Sequence, residues 1–549
     1  MAAAVRLLGI FLSIVWVAEA SAQSYTASKD QTLNIGNGAE PKELDPALAT
    51  GTPEAHILDN LFEGLTALDE KTLDPIPAIA ESWTVSPDGK IYTFKIRKNA
   101  KWSDGKNLTA EDFVWSWRRA LNPMTAAEYA YQLYYIKNGE QFNKGQLKDP
   151  SLVGVKALDP YTLQVELVNP TPFFLKLTAF HALNPVPPHV VSKFPGQEWT
   201  KEGNLVSNGP FKLTEWKLNR HIRLEANPFY WDRAAVKLKD IYFYPTENVD
   251  TEEKMFTAGK LHITNTVPTL RTPYYAQMAK QAKGYQPYKD TPLLASYFYR
   301  FNVKRKPTDD WRVRRALALT IDRKAIVERI MHGGQIPATT FTPPVIGYSF
   351  KGDLPDNVTP AAIAEAKKLL AEAGYPEGKG LGKIEILYNT NEGHKKIAVA
   401  IQDMWKKNLG IDVGLFNQEW KVYLDTQRRM DFTISRAGWV GDYPDPNTFL
   451  DLFVTNGGQN LTGWSNKDYD QYIHQAGQTL DQAKRFENFH KAEAILMKEL
   501  PVLPIYFYTY NRLVSEHIKM IENGQFREWS ANIMQRFVYK NFAMVDVRK

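Results

Sequence analysis

Apolar residues recur with two different periods along this chain, and the period changes near residue 295. Before it, short runs alternate. Tyr92, Phe94 and Ile96 interleave with Thr93, Lys95 and Arg97, the period-two pattern of a half-buried strand. Residues 80–85 and 90–97 flank Ser86-Pro-Asp-Gly89 and predict a hairpin. Leu33-Asn-Ile-Gly-Asn predicts another strand, residues 54–65 a helix, and 208–244 a β-rich region with faces marked by Phe211, Leu213, Ile222 and Leu224. Thr109 is a good N-cap for a helix reaching about residue 121. Beyond 295 the helical period dominates. Residues 311–319 and 323–331 predict two helices. Thr359 caps a third, with Pro360 at its first position, Gly374 past its end, and a stripe of Ile363, Ala366, Leu370 and Ala373. Strand 383–389, helix 394–409, strand 411–416, helix 419–429 and strand 431–435 then alternate. A βαβαβ run of this kind predicts a parallel or mixed α/β sheet.

The run Ser435-Arg-Ala-Gly-Trp-Val-Gly-Asp-Tyr-Pro-Asp-Pro446 follows the last of these strands and reads as a loop at its carboxyl end. Open α/β sheets place ligands there. Asp442 offers a site for a cation, Arg436 for an anion and Trp439 for an apolar body, a trio suited to a zwitterionic ligand.

Composition narrows the class. At 549 residues the chain is too long for one core, so two or three domains are expected. Charged residues make up 23% and the net charge is only +6, with no basic tail, which argues against nucleic acid as a partner. Arg6, the apolar run 7–18 and Ala20-Ser-Ala22 form a secretory signal peptide over 1–22, with cleavage before Gln23. No other long apolar run follows, so the mature chain is expected not to span a membrane. The chain has no cysteine, which removes disulfides, thiolate metal sites, cysteine nucleophiles and a lipid-bearing cysteine. There is no His-Glu-x-x-His, no Gly-x-Ser-x-Gly and no Gly-Lys-Ser/Thr, so zincin, nucleophile-elbow and Walker chemistry lack their motifs. Neither a cofactor nor a metal is expected.

Many motifs then occur in a familiar order: Leu44-Asp-Pro46, Leu61-Phe-Glu-Gly-Leu65, Ala80-Glu-Ser-Trp83, Lys101-Trp-Ser-Asp-Gly105, the segment from Thr109 to Trp117, Ser207-Asn-Gly209, Arg312-Val-Arg-Arg-Ala-Leu317, Asn417-Gln-Glu-Trp420 and Arg436-Ala-Gly-Trp439 with Asp442-Tyr443. With these the chain resembles the bacterial extracellular solute-binding proteins of family 5, and within it the oligopeptide-binding members. The resemblance implies an α/β, two-lobed periplasmic-binding-protein fold with a hinge and an inserted extra domain. Domain I would comprise 25–62, 187–293 and 507–549, domain II 63–186, and domain III 294–506. It also implies roles for individual residues. Asp442 would hold a peptide's α-ammonium. Trp420, Trp439 and Tyr129 would wall the side-chain pockets, Arg436 and His394 would meet the carboxylate end, and Thr50, Gly51 and Thr52 would pair with the peptide main chain. The chain departs from the pattern at Gln427, where those members carry a carboxylate-reaching arginine, at Met331, where they carry a lysine, and at Ala295 and Val440, where they carry a cysteine pair.

The resulting expectation is a monomeric, non-enzymatic periplasmic receptor that passes short peptides to an ABC importer through its inner-membrane permease. Three alternatives stand beside it: a receptor of the same fold for a murein tripeptide, a nickel chelate or an oligosaccharide; a secreted hydrolase; and a periplasmic chaperone.

Overall fold

The computed structural model describes residues 25–345, 347–534 and 538–547, so the signal peptide expected over 1–22 lies outside the described residues. Strands segregate into separate sheets. Thr32–Gly36 pairs parallel with Asp240–Tyr244, which continues antiparallel through His221–Ala226 to Phe211–Lys217. Thr26–Ala27, from the start of the described chain, pairs with Phe542–Asp546 from its end, and Ile518–Glu522 and Gln525–Arg527 extend that sheet. A separate antiparallel sheet runs Ala80–Val85, Ile91–Ile96, Thr162–Glu166, Val155–Asp159. The helix Ala110–Leu121 covers it. At the start of that helix the Thr109 N–H donates to the Asp112 carboxylate at 2.8 Å, and farther along Trp117 Nε1 donates to the Leu183 carbonyl at 2.8 Å.

The largest sheet has six strands in the order Ile336–Pro337, Val502–Leu513, Tyr288–Phe301, Ile434–Val440, Ile384–Asn389, Val413–Gln418. Its last three strands are parallel and the rest antiparallel, so the sheet is mixed, as the alternating pattern predicts. The helices Glu392–Leu409 and Trp420–Arg428 make the crossovers. The first buries Ile397, Ala398, Ile401, Trp405 and Leu409, one face at helical spacing. It starts at Asn391, whose Oδ1 accepts from the Gly393 and His394 N–H groups, and stops at Gly410 with φ 73°. Ile384–Asn389 lies between the other two parallel strands, so its crossover leaves on one side and the next returns on the other. The crevice beyond these strands' carboxyl ends is the switch point of the topology.

Two long strands, Tyr288–Phe301 and Val502–Leu513, join this sheet to the one containing Thr32–Gly36. The Leu513 N–H donates to Thr264 Oγ1 at 2.9 Å, and Ile263 bridges both Ile35 and Val514. Their mutual register breaks between Pro292 and Ser296, so the paired ladder loses continuity where the chain crosses between lobes.

Some boundaries differ from those predicted. The strand expected at 431–435 is Ile434–Val440. Arg436 and Trp439 therefore lie on a strand, paired with Tyr299 and Ser296, rather than in a loop. The neighbouring strand supplies partners for a glycine-rich run that looks irregular alone. The helix expected at 54–65 runs Thr52–Leu61, and residues 323–331 turn from an α-helix, Arg323–Ile326, into a π-helical turn, Val327–Met331. In the helix Pro360–Glu372, Ala362, Ala366 and Leu370 are buried, whereas Ile363 is half-buried and Ala373 caps the end.

Candidate functional site

A cavity of about 700 Å³ opens between the lobes, lined from one side by Thr50, Gly51, Thr52, Asn265 and Thr266 and from the other by Arg436, Trp439 and Asp442. All nine residues singled out in the sequence line it: Thr50, Gly51, Thr52, Tyr129, His394, Trp420, Arg436, Trp439 and Asp442.

Asp442 follows the last residue of strand Ile434–Val440 by two positions and is 4% exposed. Its N–H donates to Thr448 Oγ1 at 2.9 Å, which fixes the turn. Its two oxygens accept from Tyr129 Oη at 3.4 Å and Gln132 Nε2 at 3.1 Å, both from the inserted sheet's side of the molecule. Phe173 stacks on Tyr443 at 4.8 Å and anchors the same contact. Nearby, burial and then the charge of Asp442 push the Asp451 carboxyl well above the usual carboxylate range.

Trp439 is buried and its ring lies 6.1 Å from that of Tyr129. Its indole Nε1 is buried without a hydrogen-bond partner. Trp420 is half-buried, stacks on Tyr423 at 5.7 Å and points Nε1 at Glu54 Oε1, 3.4 Å away. Gly51 lies against both: a Cβ there would fall 2.8 Å from the Trp420 ring and 2.1 Å from Glu54 Oε2. Only glycine lets the backbone approach this closely. Gly51 is extended, but Thr52 already belongs to the helix Thr52–Leu61, so the extended segment expected over Thr50–Thr52 stops at Gly51.

Arg436 occupies the other end of the strand. It is 9% exposed, and no carboxylate of the described residues comes within ion-pair distance, 4.0 Å. Its Nη2 donates to Tyr508 Oη at 2.6 Å and its Nη1 to Asn389 Oδ1 at 3.2 Å, while Nε has no partner. The guanidinium lies 4.8 Å from the centre of the Tyr297 ring. Tyr297 Oη is 3.4 Å from His394 Nδ1. Burial, followed by the charge of Arg436, holds the His394 pKa well below the usual histidine value, so the ring stays neutral.

Gln132, Tyr297, Tyr506 and Tyr508 escaped the sequence reading. The alternation of Tyr506 and Tyr508 with Phe507 marks a strand face but not that it faces Arg436. The departures can also be placed. Met331 lines the cavity. Gln427 is buried behind Arg436, with Nε2 2.9 Å from the Arg436 carbonyl oxygen. Ala295 and Val440 lie directly across from each other on paired strands. Among the described residues no group of three or more His, Cys, Asp or Glu side chains is placed to hold a metal, and no helix is long and apolar enough to cross a membrane.

Residues 74–460 match the family model described as bacterial extracellular solute-binding proteins, family 5 Middle. The chain is 42% identical over 496 residues to the oligopeptide-binding protein OppA of Bacillus subtilis (strain 168), covering 89% of each. It is 39% identical over 514 residues to the periplasmic murein peptide-binding protein MppA of Escherichia coli (strain K12), covering 92% of this chain and 93% of the relative. The structure of E. coli MppA superposes with a TM-score of 0.89 at 37% identity, covering 95% of this chain and all of MppA. Haemophilus influenzae OppA in complex with RPPGFSPFR gives 0.87 at 36% identity, covering 95% of this chain and all of that one. An unliganded open form of MppA gives only 0.63 at the same 37% identity. The lobes of this chain therefore sit as in the peptide complex rather than as in the open form. With its mixed α/β architecture, the chain belongs to the bacterial extracellular solute-binding proteins, family 5.

Proposed function

We propose that the chain is a periplasmic receptor that encloses short peptides between its lobes and delivers them to an ABC importer, without catalysing a reaction. One observation carries the reading: a buried guanidinium, Arg436, without a carboxylate partner among the described residues, in the same cavity as the buried carboxylate Asp442. A buried charge is stable only with a counter-charge and hydrogen bonds. A peptide carries both, an ammonium for Asp442 and a carboxylate for Arg436. Neutral His394 adds a donor or acceptor at the carboxylate end, Trp439, Trp420 and Tyr129 wall the side chains, and the extended backbone at Gly51 offers main-chain pairing. The names of the relatives support peptides as the ligand class. The segregation of the sheets supports the division into domains 25–62 + 187–293 + 507–549, 63–186 and 294–506, with the crossing strands as hinge.

The test is calorimetry with free and N-acetylated tripeptides on the wild type and Asp442→Asn. Breaking one partner of a buried pair costs about 3–5 kcal/mol, which is more than about a hundredfold in affinity. Acetylation and Asp442→Asn should each produce that loss, and together no more than either alone. Equal affinity for free and acetylated peptide would sink the ammonium role. The superposition on MppA favours a second reading, a murein tripeptide. It predicts that a diaminopimelate-bearing tripeptide outcompetes trialanine, and equal competition refutes it.

A further inference from the structure

Asp451 is a buried carboxyl outside the cavity, where residues 63–186 meet 294–506. It follows the short helix Asn447–Leu450 and is 7% exposed. No lysine, arginine or histidine nitrogen of the described residues lies within 4.0 Å of its oxygens. Oδ2 accepts from Asn447 Nδ2 at 3.0 Å and from Tyr135 Oη at 3.5 Å, while Oδ1 is buried without a partner. The groups around it bring no free cation. Asp442, Tyr443 and Asp445 come from the preceding turn, and Asp445 is taken by Arg485 at 2.8 and 3.0 Å. Tyr469 donates to the Leu450 carbonyl. Tyr131 and Tyr135 face it from the inserted region. A carboxylate with one bare oxygen and no counter-ion costs far more to bury than the neutral acid. Burial, followed by the charge of Asp442, accordingly raises its pKa well above 3.8.

The cover over Asp451 comes from the inserted region. Beside the Tyr135 hydroxyl, Phe173 stacks flat on Tyr443 with ring centres 4.8 Å apart and meets the Tyr135 ring edge-on at 5.1 Å. The chain packs tightly here: a Cβ on Gly458 would fall 2.4 Å from the Glu128 carbonyl oxygen. The same region is bolted to segments 25–62 and 187–293. Arg119 Nη1 reaches the fully buried Asp45 at 3.2 Å. The Ser103 N–H donates to the Ser207 carbonyl at 2.7 Å. Asn208 holds both backbone groups of Glu63, at 3.1 and 2.8 Å. Tyr135 and Phe173 are therefore tied to one side of the cleft and Asp451 to the other.

We propose that closing the lobes takes up one proton from solvent at Asp451, so that ligand capture is linked to pH. In the open receptor Tyr135 and Phe173 have withdrawn, water reaches the side chain, and it stands as a carboxylate. In the closed receptor it is a carboxylic acid sealed under them. The inference rests on the peptide reading for the ligand that favours closure. At pH above the ordinary carboxylate value the open form has lost the proton and the closed form keeps it, so affinity falls as pH rises. Below that value both forms carry the proton and the linkage disappears.

The experiment is calorimetry with trialanine between about pH 6 and 7, in buffers of low and high ionisation enthalpy, whose difference in apparent heat counts the protons exchanged. The peptide's amine, with a pKa of about 7.7–8.0, stays charged throughout. The wild type should take up about one proton per peptide bound, and its affinity should fall by about tenfold per pH unit. Asp451→Asn, which fixes the neutral form, should take up about one proton fewer and hold its affinity within about twofold across the range. Tyr135→Ala removes the cover and leaves the carboxyl, so its uptake should fall below that of the wild type; it decides the matter if thermal melting shows Asp451→Asn misfolded. No uptake in the wild type, uptake that survives Asp451→Asn, or uptake unchanged by Tyr135→Ala overturns the assignment. Trialanine failing to bind the wild type at either pH refutes the peptide reading itself, a different result from binding without proton uptake.

Discussion

Glu252 shows how one side chain shapes the cleft from outside it. It is 1% exposed, and its oxygens accept from the backbone N–H groups of Asn265 at 3.0 Å and Thr266 at 3.3 Å, both cavity-lining residues. Gly36 makes room for it, since a Cβ there would sit 1.6 Å from Glu252 Oε1. Burial pushes its pKa from 4.5 up to about 7. Below 4.5 the carboxyl is protonated in both the folded and unfolded chain, and the shift has no effect. Between 4.5 and about 7 the unfolded chain releases the proton while the folded chain keeps it, so stability falls as pH rises. The full shift amounts to about 3 kcal/mol at 1.36 kcal/mol per unit. Glu252→Gln should therefore gain on the wild type by about that amount between pH 4.5 and 7 in urea unfolding. A constant difference across the window would show that Glu252 ionises normally.

At the scale of elements, the strand Ile434–Val440 organises the site. Arg436, Trp439 and Val440 all stand on it, and its pairing with Tyr288–Phe301 sets their spacing. Ala295 and Val440 face each other in a pair flanked by the bond from the Gly441 N–H to the Leu294 carbonyl, 2.8 Å. This is the closer, non-hydrogen-bonded kind of antiparallel pair, with Cα atoms about 4.5 Å apart, inside the range a disulfide spans. Ala295→Cys with Val440→Cys should crosslink on oxidation and raise the melting midpoint, by up to about 4–5 kcal/mol of chain entropy for so long a loop. Peptide affinity should be equal with and without reductant. Failure of the two thiols to pair would contradict the register. The βαβαβ run was legible because strand and helix periods alternate cleanly there, with Thr359 and Asn391 capping their helices through side-chain oxygens. The strand position of Arg436 was not, because Gly438 and Gly441 break the alternation and the partner strand lies about 140 residues away in sequence. Of the nine cavity residues, Asp442, Arg436 and Trp439 were legible from the run 435–446 itself, and the other six came from the resemblance. The tyrosines around Arg436 did not, since positions 297, 506 and 508 converge only once two distant strands pair.

Across the whole molecule, two ion pairs and one lysine–threonine hydrogen bond join residues far apart in sequence. Lys42 Nζ lies 2.7 Å from Asp425 Oδ1, Arg428 pairs with Glu128, and Lys396 Nζ reaches Thr269 Oγ1 at 3.1 Å. None of these needs a ligand. If these contacts act as a latch, a ligand held behind them leaves only when the lobes part. Residence time then becomes a property of the receptor. Stopped-flow release of peptides with different side chains should give rates much closer together than their affinities, with the differences appearing in capture. Each rim pair is partly exposed and worth about 0.2–1 kcal/mol, so Lys42→Ala with Arg428→Ala, or added salt, should speed every release by a similar factor of a few. Release rates that track affinity and ignore salt would show that no latch operates. With the latch, what leaves the receptor mirrors what it caught, and the mixture handed on follows abundance outside the cell rather than tenacity inside the cleft.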